Sequence, residues 1–158
     1  MQRVPMTPEG HKKLEDELRL SKSVLRPRIV QDIEEARAHG DISENSEFED
    51  AKHRQAMLEG RIAHLESQLA AAEIIDVSEL TPSERVVFGT RVEFLDAETE
   101  EELAYRIVGT EEVDIKAGLI SFSSPIGQAM IGRSVGDEVT VRTPKGMRTF
   151  EILEVHYS

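Results

Sequence analysis

Along the first half of the chain apolar residues return every three or four positions; along the second half they return every two. Phe48, Ala51, Gln55, Leu58, Ile62, Leu65, Leu69 and Ala72 form a sustained heptad seam of the kind that faces a partner helix. Upstream, Leu14, Leu18, Ser21 and Leu25 keep the same rhythm, and Ile29, Ile33 and Ala36 resume it after a shift of four. Pro27 lies at that shift, where the missing backbone donor predicts a local kink. Thr7 before Pro8 marks a helix start, an N-cap followed by proline at the first helical position. A helical stretch from Pro8 to Glu73 is therefore predicted, interrupted by Gly40-Asp41-Ile42-Ser43-Glu44-Asn45-Ser46, with Gly40 as the stop of the first helix. Gly60 inside the second helix costs about 1 kcal/mol relative to Ala. Each helix carries one narrow apolar stripe, enough to cover the other and little else. The prediction is an antiparallel coiled-coil hairpin over residues 1–76, its tip at 40–46, projecting from the body. At ~1.5 Å per residue, arms of roughly 30 residues carry the tip about 45 Å out.

The pattern changes near Asp76, and Leu80-Thr81-Pro82-Ser83 reads as a linker. Beyond it, Val92 and Phe94, then Leu103, Tyr105 and Ile107, then Val139 and Val141, then Phe150 and Ile152 alternate with polar residues, as short half-buried strands do. Asp96 to Glu102 is an acidic turn, and Pro144-Lys145-Gly146 closes a hairpin. Pro125 to Ile131 suits one short helix packed on the sheet. Residues 77–158 thus form a small, mostly antiparallel β domain, and the chain as a whole is of the α+β class.

Composition narrows the function. Charged residues make up 32% and aromatics 4%, with no Trp, which suits a helical hairpin joined to a small sheet domain. Without Cys there is neither a disulfide framework nor a thiolate metal site. The net charge is −12, with 11 basic against 16 acidic residues in 1–76 and 8 against 15 in 77–158. Neither half is a basic nucleic-acid module, because phosphate affinity needs clustered Lys and Arg. Contact with nucleic acid then requires a partner that brings the two together. Met1-Gln2-Arg3-Val4-Pro5 lacks the order of a signal peptide, and no apolar run approaches ~20 residues. The expectation is a soluble cytoplasmic protein with no membrane contact.

Two readings fit the tip carboxylates. Asp41 three residues before Glu44 has capping-box spacing, in which both side chains bond free backbone N–H groups at a helix start. The same pair suits a Mg²⁺ site, since that ion commonly takes one or two protein carboxylates and completes its octahedron with water and phosphate oxygens. Two carboxylates on a turn form no closed cage, so the metal reading requires a partner to supply the other ligands. His39 adjoins the turn and is read as an exposed cap residue. His11, His53, His64 and His156 show no ligand-like grouping along the sequence.

The run Ile33-Glu34-Glu35-Ala36-Arg37-Ala38-His39-Gly40-Asp41-Ile42-Ser43-Glu44-Asn45-Ser46-Glu47-Phe48 closely resembles the tip signature of the bacterial Gre transcript-cleavage factors. Tyr105-Arg106-Ile107-Val108-Gly109, Ile120-Ser121-Phe122-Ser123-Ser124-Pro125-Ile126 and Gly136-Asp137-Glu138-Val139 resemble that family's second domain, so the likeness spans the chain. The acidic balance is that of the more acidic of the family's two paralogues. The resemblance implies a second domain similar to the FK506-binding-protein fold and a hairpin that enters the secondary channel of RNA polymerase. It implies that Asp41 and Glu44 help hold the second Mg²⁺ of the polymerase active site, none being bound stably by the free protein. The RNA 3′ end of a backtracked complex is then cleaved by the polymerase, which this protein stimulates without being an enzyme itself. Glu47, one turn further on, either orients water or is a solvated first-turn Glu.

The same resemblance places Arg37 and Lys52 in a small basic patch facing the RNA; the alternative is ordinary solvated surface charge. Lys replaces the family's more usual Arg at 52, which loses planar bidentate contact. Phe48 replaces the usual Tyr and starts the seam. Ser121, Ser123, Ser124 and Pro125 match the loop that grips the rim of the polymerase channel, with Ser123 standing where Asp or Asn is more frequent. The free protein is expected to be a monomer. Two alternatives follow from the same motifs: a Gre-like channel-binding inhibitor without cleavage activity, which retention of Asp41 and Glu44 disfavours, and a peptidyl-prolyl isomerase-like domain with a coiled-coil adaptor, for which aromatic residues are scarce.

Overall fold

The computed structural model describes residues 2–39 and 42–158, and the side chains of 39–45 lie outside the description. The chain divides into two compact units, Met1–Gln2 with His11–Ala72, and Arg3–Gly10 with Glu73–Ser158.

The helical unit follows the seam. A short strand β1 (Val4–Met6) precedes helix α1 (Pro8–Leu20), a π-helical turn (Ser21–Leu25) and helix α2 (Arg26–His39), with helix α3 (Ile42–Ala70) returning alongside. Leu14, Ser21, Ile33, Ala36, Ala51, Ile62 and Leu65 are buried, and the other seam positions are half-buried. Ahead of Pro27, where a kink is predicted, the structure has that π turn, in which the Arg26 N–H donates to the Ser21 carbonyl, five residues back. Its cause is legible in the spacing. Ser21, Leu25, Ile29 and Ile33 follow in steps of four, one residue more than the 4-3-4 rhythm allows, and a π turn inserts that residue without breaking the helix. It also lies just ahead of Pro27, whose ring crowds the preceding turn and which has no N–H to donate. Helix α3 begins at Ile42, so the tip from there on is helical rather than a seven-residue interruption. It ends at Ala70, short of Glu73, because Ala72–Ile74 forms strand β2, paired with β1.

The sheet unit has five strands: β3 (Arg91–Asp96), β4 (Glu102–Val108), β5 (Leu119–Ser121), β6 (Glu138–Thr143) and β7 (Gly146–His156), in the order β5-β4-β3-β7-β6. All pairings are antiparallel except β4 with β5. Helix α4 (Pro125–Met130) adds Met130 to a core of Val86, Val92, Phe94, Ile107, Ile120, Val139, Val141, Phe150 and Ile152. Phe94 lies edge-on to Phe150 at 5.2 Å and against Tyr105 at 5.6 Å, so these rings build the core rather than line a pocket. A β-bulge interrupts the β3–β7 register: Glu93 opposes Glu154, but Phe94 opposes Ile152, leaving Leu153 as the extra residue.

Thr7 caps α1 by accepting the Gly10 N–H at 3.0 Å. Its own hydroxyl and N–H donate to the Glu112 carboxylate, which also accepts the Gly109 N–H at 2.8 Å. A Cβ on Gly10 would sit 2.0 Å from Glu112 Oε1, which explains glycine in the first turn of a helix. No described helix is long and apolar enough to cross a membrane.

Candidate functional site

The tip motif runs from the end of α2 into the first turn of α3. Asp41 is outside the described residues, as are the side chains of Glu44 and His39, so neither the capping bonds nor a metal-side geometry is described for them. With Ile42 as the first helical residue, Glu44 falls at the third helical position.

Around the tip the flanking residues are placed. The Arg37 guanidinium on α2 lies over the Phe48 ring on α3, 5.6 Å from its centroid, an arrangement that attracts through the ring quadrupole and joins the two helices. Lys52, one turn beyond Phe48, is exposed and donates to Gln55 Oε1 at 3.3 Å. Exposed Glu47 lines an open groove of about 430 Å³ with Asp32, Glu35, Ser46, Asp50 and Arg54. Arg54 bonds Asp32 across the hairpin and Asp50 on its own helix, both at 3.1 Å; these bonds hold its guanidinium above its ordinary pKa.

Further along, the seam is flanked by cross-helix ion pairs. Arg26 holds Glu59 through two bonds of 2.8 and 2.9 Å, Arg61 holds Glu17 at 2.7 and 2.9 Å, and Lys22 reaches Glu66 at 3.1 Å. The bond from Arg61 keeps the Glu17 carboxyl below the usual range, and that from Arg26 does the same for Glu59. With 38–40% exposure at Arg61 and Glu17, such pairs fix register more than they add stability.

The structure brings Ser121, Ser123, Ser124 and Pro125 together in one tight loop at the start of α4. Ser124 is the N-cap: its Oγ accepts the Gly127 N–H at 3.1 Å and donates to the Ser121 carbonyl at 2.7 Å, while Pro125 takes the first helical position. Ser123 donates its N–H to Ser121 Oγ at 3.0 Å, and the two hydroxyls lie 2.7 Å apart. Gly127 is required here, because a Cβ would meet the Ser121 carbonyl at 2.4 Å. Ser123 and Pro125 face solvent from this fixed turn, and Phe122 packs edge-on against Phe88 at 5.8 Å.

One cluster escaped the sequence reading. His156, which has no ligand-like grouping along the sequence, has its Nε2 3.3 Å from Glu93 Oε2 and 3.3 Å from Glu154 Oε2. Among the described residues this is the one group of three potential metal ligands, all ligand atoms lying within 4.8 Å of one another. Contact with the Glu154 carboxyl, then with the His156 imidazole, keeps the Glu93 carboxyl below its ordinary range. The signal in the sequence is two alternating pairs, Arg91 with Glu93 and Glu154 with His156, and it becomes readable only once β3 is known to pair with β7.

Two family models match the chain: the transcription elongation factor N-terminal domain over residues 4–74, and the GreA/GreB transcription elongation factor C-terminal domain over residues 81–157. Among individual proteins, the transcription elongation factor GreA of Anaeromyxobacter sp. (strain K) is 54% identical over 157 residues, covering 99% of this chain and 94% of that protein. That of Magnetococcus marinus is 52% identical over 155 residues, covering 98% of each. A solved structure, the GreA factor homolog 1 of Thermus thermophilus, is 30% identical over 98% of this chain and 99% of that one, with a TM-score of 0.44.

Proposed function

The chain belongs to the GreA/GreB family of transcription elongation factors, and on that premise we propose that it stimulates the Mg²⁺-dependent cleavage of backtracked RNA by RNA polymerase, rescuing arrested complexes. The hairpin of residues 1–76 enters the polymerase's secondary channel, and the domain of residues 77–158 docks at the rim.

The observation that supports the reading is the match of both halves of the chain to the family, together with the acidic motif in the sequence between the paired helices. In the sequence Asp41 follows α2 and Glu44 belongs to the first turn of α3, and the two helices share a seam and ion pairs in a chain whose two halves both match the family. A pair of carboxylates is the donor set that suits Mg²⁺ when phosphate and polymerase groups complete the coordination. Bound there, the ion supplies an activated water and offsets developing phosphate charge. The chain's own part is to hold Asp41 and Glu44 in place and to bring no nuclease of its own. Arg37, steadied over Phe48, and exposed Lys52 present positive charge to the RNA 3′ end. Ser121, Ser123, Ser124 and Pro125 contact the polymerase rim from a turn whose internal hydrogen bonds fix it before binding, which lowers the ordering cost of docking. The free protein acts as a monomer in the cytoplasm.

The test is a cleavage assay on stalled elongation complexes, with and without the full-length protein. Shortened, re-extendable transcripts are expected only in its presence. Undiminished stalling, with the protein shown to bind the complex, would overturn the reading. Pro125→Asp is expected to weaken binding to core polymerase while leaving the protein's melting curve unchanged.

A further inference from the structure

We propose that Glu93, Glu154 and His156 form a binding site for a divalent transition-metal ion of the Zn²⁺ class on the outer face of the sheet, remote in sequence from the tip motif.

The bulge creates the arrangement. Phe150 and Ile152 face the core, and strict alternation would send Glu154 and His156 inward after them. The extra residue Leu153 reverses the parity of β7, so Val155 turns in opposite Val92 while Glu154 and His156 turn out. Glu93 opposes Glu154 and Arg91 opposes His156, placing all four on one face of two adjacent central strands. No flexible loop contributes a ligand.

The distances fit a metal. Zinc–oxygen and zinc–nitrogen bonds of about 2.0–2.1 Å in tetrahedral geometry separate two ligand atoms by roughly 3.3–3.4 Å. His156 Nε2 lies 3.3 Å from one oxygen of each carboxylate. That nitrogen is shielded from solvent between the two carboxylates, and all three ligand atoms lie within 4.8 Å of one another. Arg91 engages the other oxygen of Glu93, Oε1, at 3.3 Å, which leaves Oε2 directed at the imidazole. Two carboxylates balance a doubly charged ion, and a third ligand that is imidazole favours Zn²⁺, Co²⁺ or Ni²⁺ over Mg²⁺. Three protein ligands leave a fourth position for water. The metal would fasten the end of β7 to β3, and the site is independent of the tip carboxylates.

The test is titration of the full-length, metal-free protein with Co²⁺ and Zn²⁺. One ion per chain is expected, with a tetrahedral Co²⁺ visible spectrum that Zn²⁺ abolishes. His156→Ala should weaken binding about a hundredfold, and Glu154→Gln, at an exposed position, at least about tenfold. Asp41→Asn with Glu44→Gln should leave the spectrum unchanged. Circular dichroism checks that each variant is folded; should His156→Ala fail to fold, Glu154→Gln decides. Absence of saturable binding by the wild-type protein, or wild-type affinity in a folded His156→Ala or Glu154→Gln variant, overturns the proposal and leaves the cluster as an ion pair.

Discussion

In the helical unit the buried side chains are spread along a line, from Leu14 and Ser21 through Ile33 and Ala36 to Ala51, Ile62 and Leu65, with bidentate Arg–Glu pairs beside them. In the sheet unit the buried residues form one contiguous body centred on Phe94, Ile107 and Ile152. A line gives each turn few neighbours and leaves its flanking charges in water; a body shares every contact among several strands. The hairpin is therefore expected to respond locally and to salt, the sheet cooperatively and hardly to salt. That contrast serves the proposed function, because substitutions at a hairpin tip then change chemistry without disturbing the fold of the docking domain.

The sharpest way to break this contrast is Ile62→Asp. Ile62 is 1% exposed in the seam, and an unpaired carboxylate there should cost about 4 kcal/mol or more. Residue-resolved hydrogen exchange should show protection lost along α3 and retained in β3 and β7. Loss in both units alike would mean that the line and the body are one cooperative structure. Phe94→Ala, at 0% exposure, is the reciprocal test: about 3 kcal/mol lost, with every sheet strand losing protection together in the same measurement.

Gly10→Ala comes next. Its Cβ would displace Glu112 and release the bonds to Thr7 and Gly109, a loss of about 1–3 kcal/mol measured by denaturant unfolding, whereas Gly60→Ala, in open space on α3, should stabilise slightly. The smallest effects are ionic. Going from about 0.1 to about 1 M NaCl shortens the screening length from ~10 to ~3 Å, so helical protection should fall slightly while that of the sheet stays level.

Acid gives a related test. Glu17 and Glu59 have folded pKa values lowered from 4.5, so the stability they contribute is complete above that value and is lost as pH falls through their folded values. In the sheet unit, burial raises the Asp96 pKa. The amides of Glu98 and Thr99 and the Arg148 guanidinium outweigh this and bring it below 3.8, so its contribution too is lost as pH falls through its folded value. All three carboxylates should thus titrate below their ordinary values when followed by NMR.

Much of the fold was legible because it is periodic. Every predicted seam residue is buried or half-buried, and each alternating pair used to place a strand lies in one. What escaped depends on contacts distant in sequence. Strands β1, β2 and β5 have three residues each, too few for a period to appear. The Thr7–Glu112 contact spans 105 residues, so the N-cap signal at Thr7 said nothing of its second partner. The His156 cluster was hidden by the bulge, which inverts the alternation that Phe150 and Ile152 establish. Near Pro27 the π turn follows from the extra residue in the seam spacing, whereas the proline alone does not distinguish a kink from an inserted residue. The family was legible from the tip motif, where the hydrophobic pattern gives way to a run of acidic and polar residues.

The central claim is that Asp41 and Glu44 act as ligands rather than as a cap, and the double variant Asp41→Asn, Glu44→Gln tests it most directly. These changes keep side-chain size and much of the capping capacity while removing the charge, so a role as cap alone predicts near-normal function and a stability change below ~1 kcal/mol. Cleavage of backtracked RNA is to be measured at low Mg²⁺ alongside polymerase binding. The account predicts that stimulated cleavage is largely lost, that binding is unchanged, and that raising Mg²⁺ restores part of the activity. Full cleavage by the double variant at low Mg²⁺ would contradict it and return both residues to the role of helix cap.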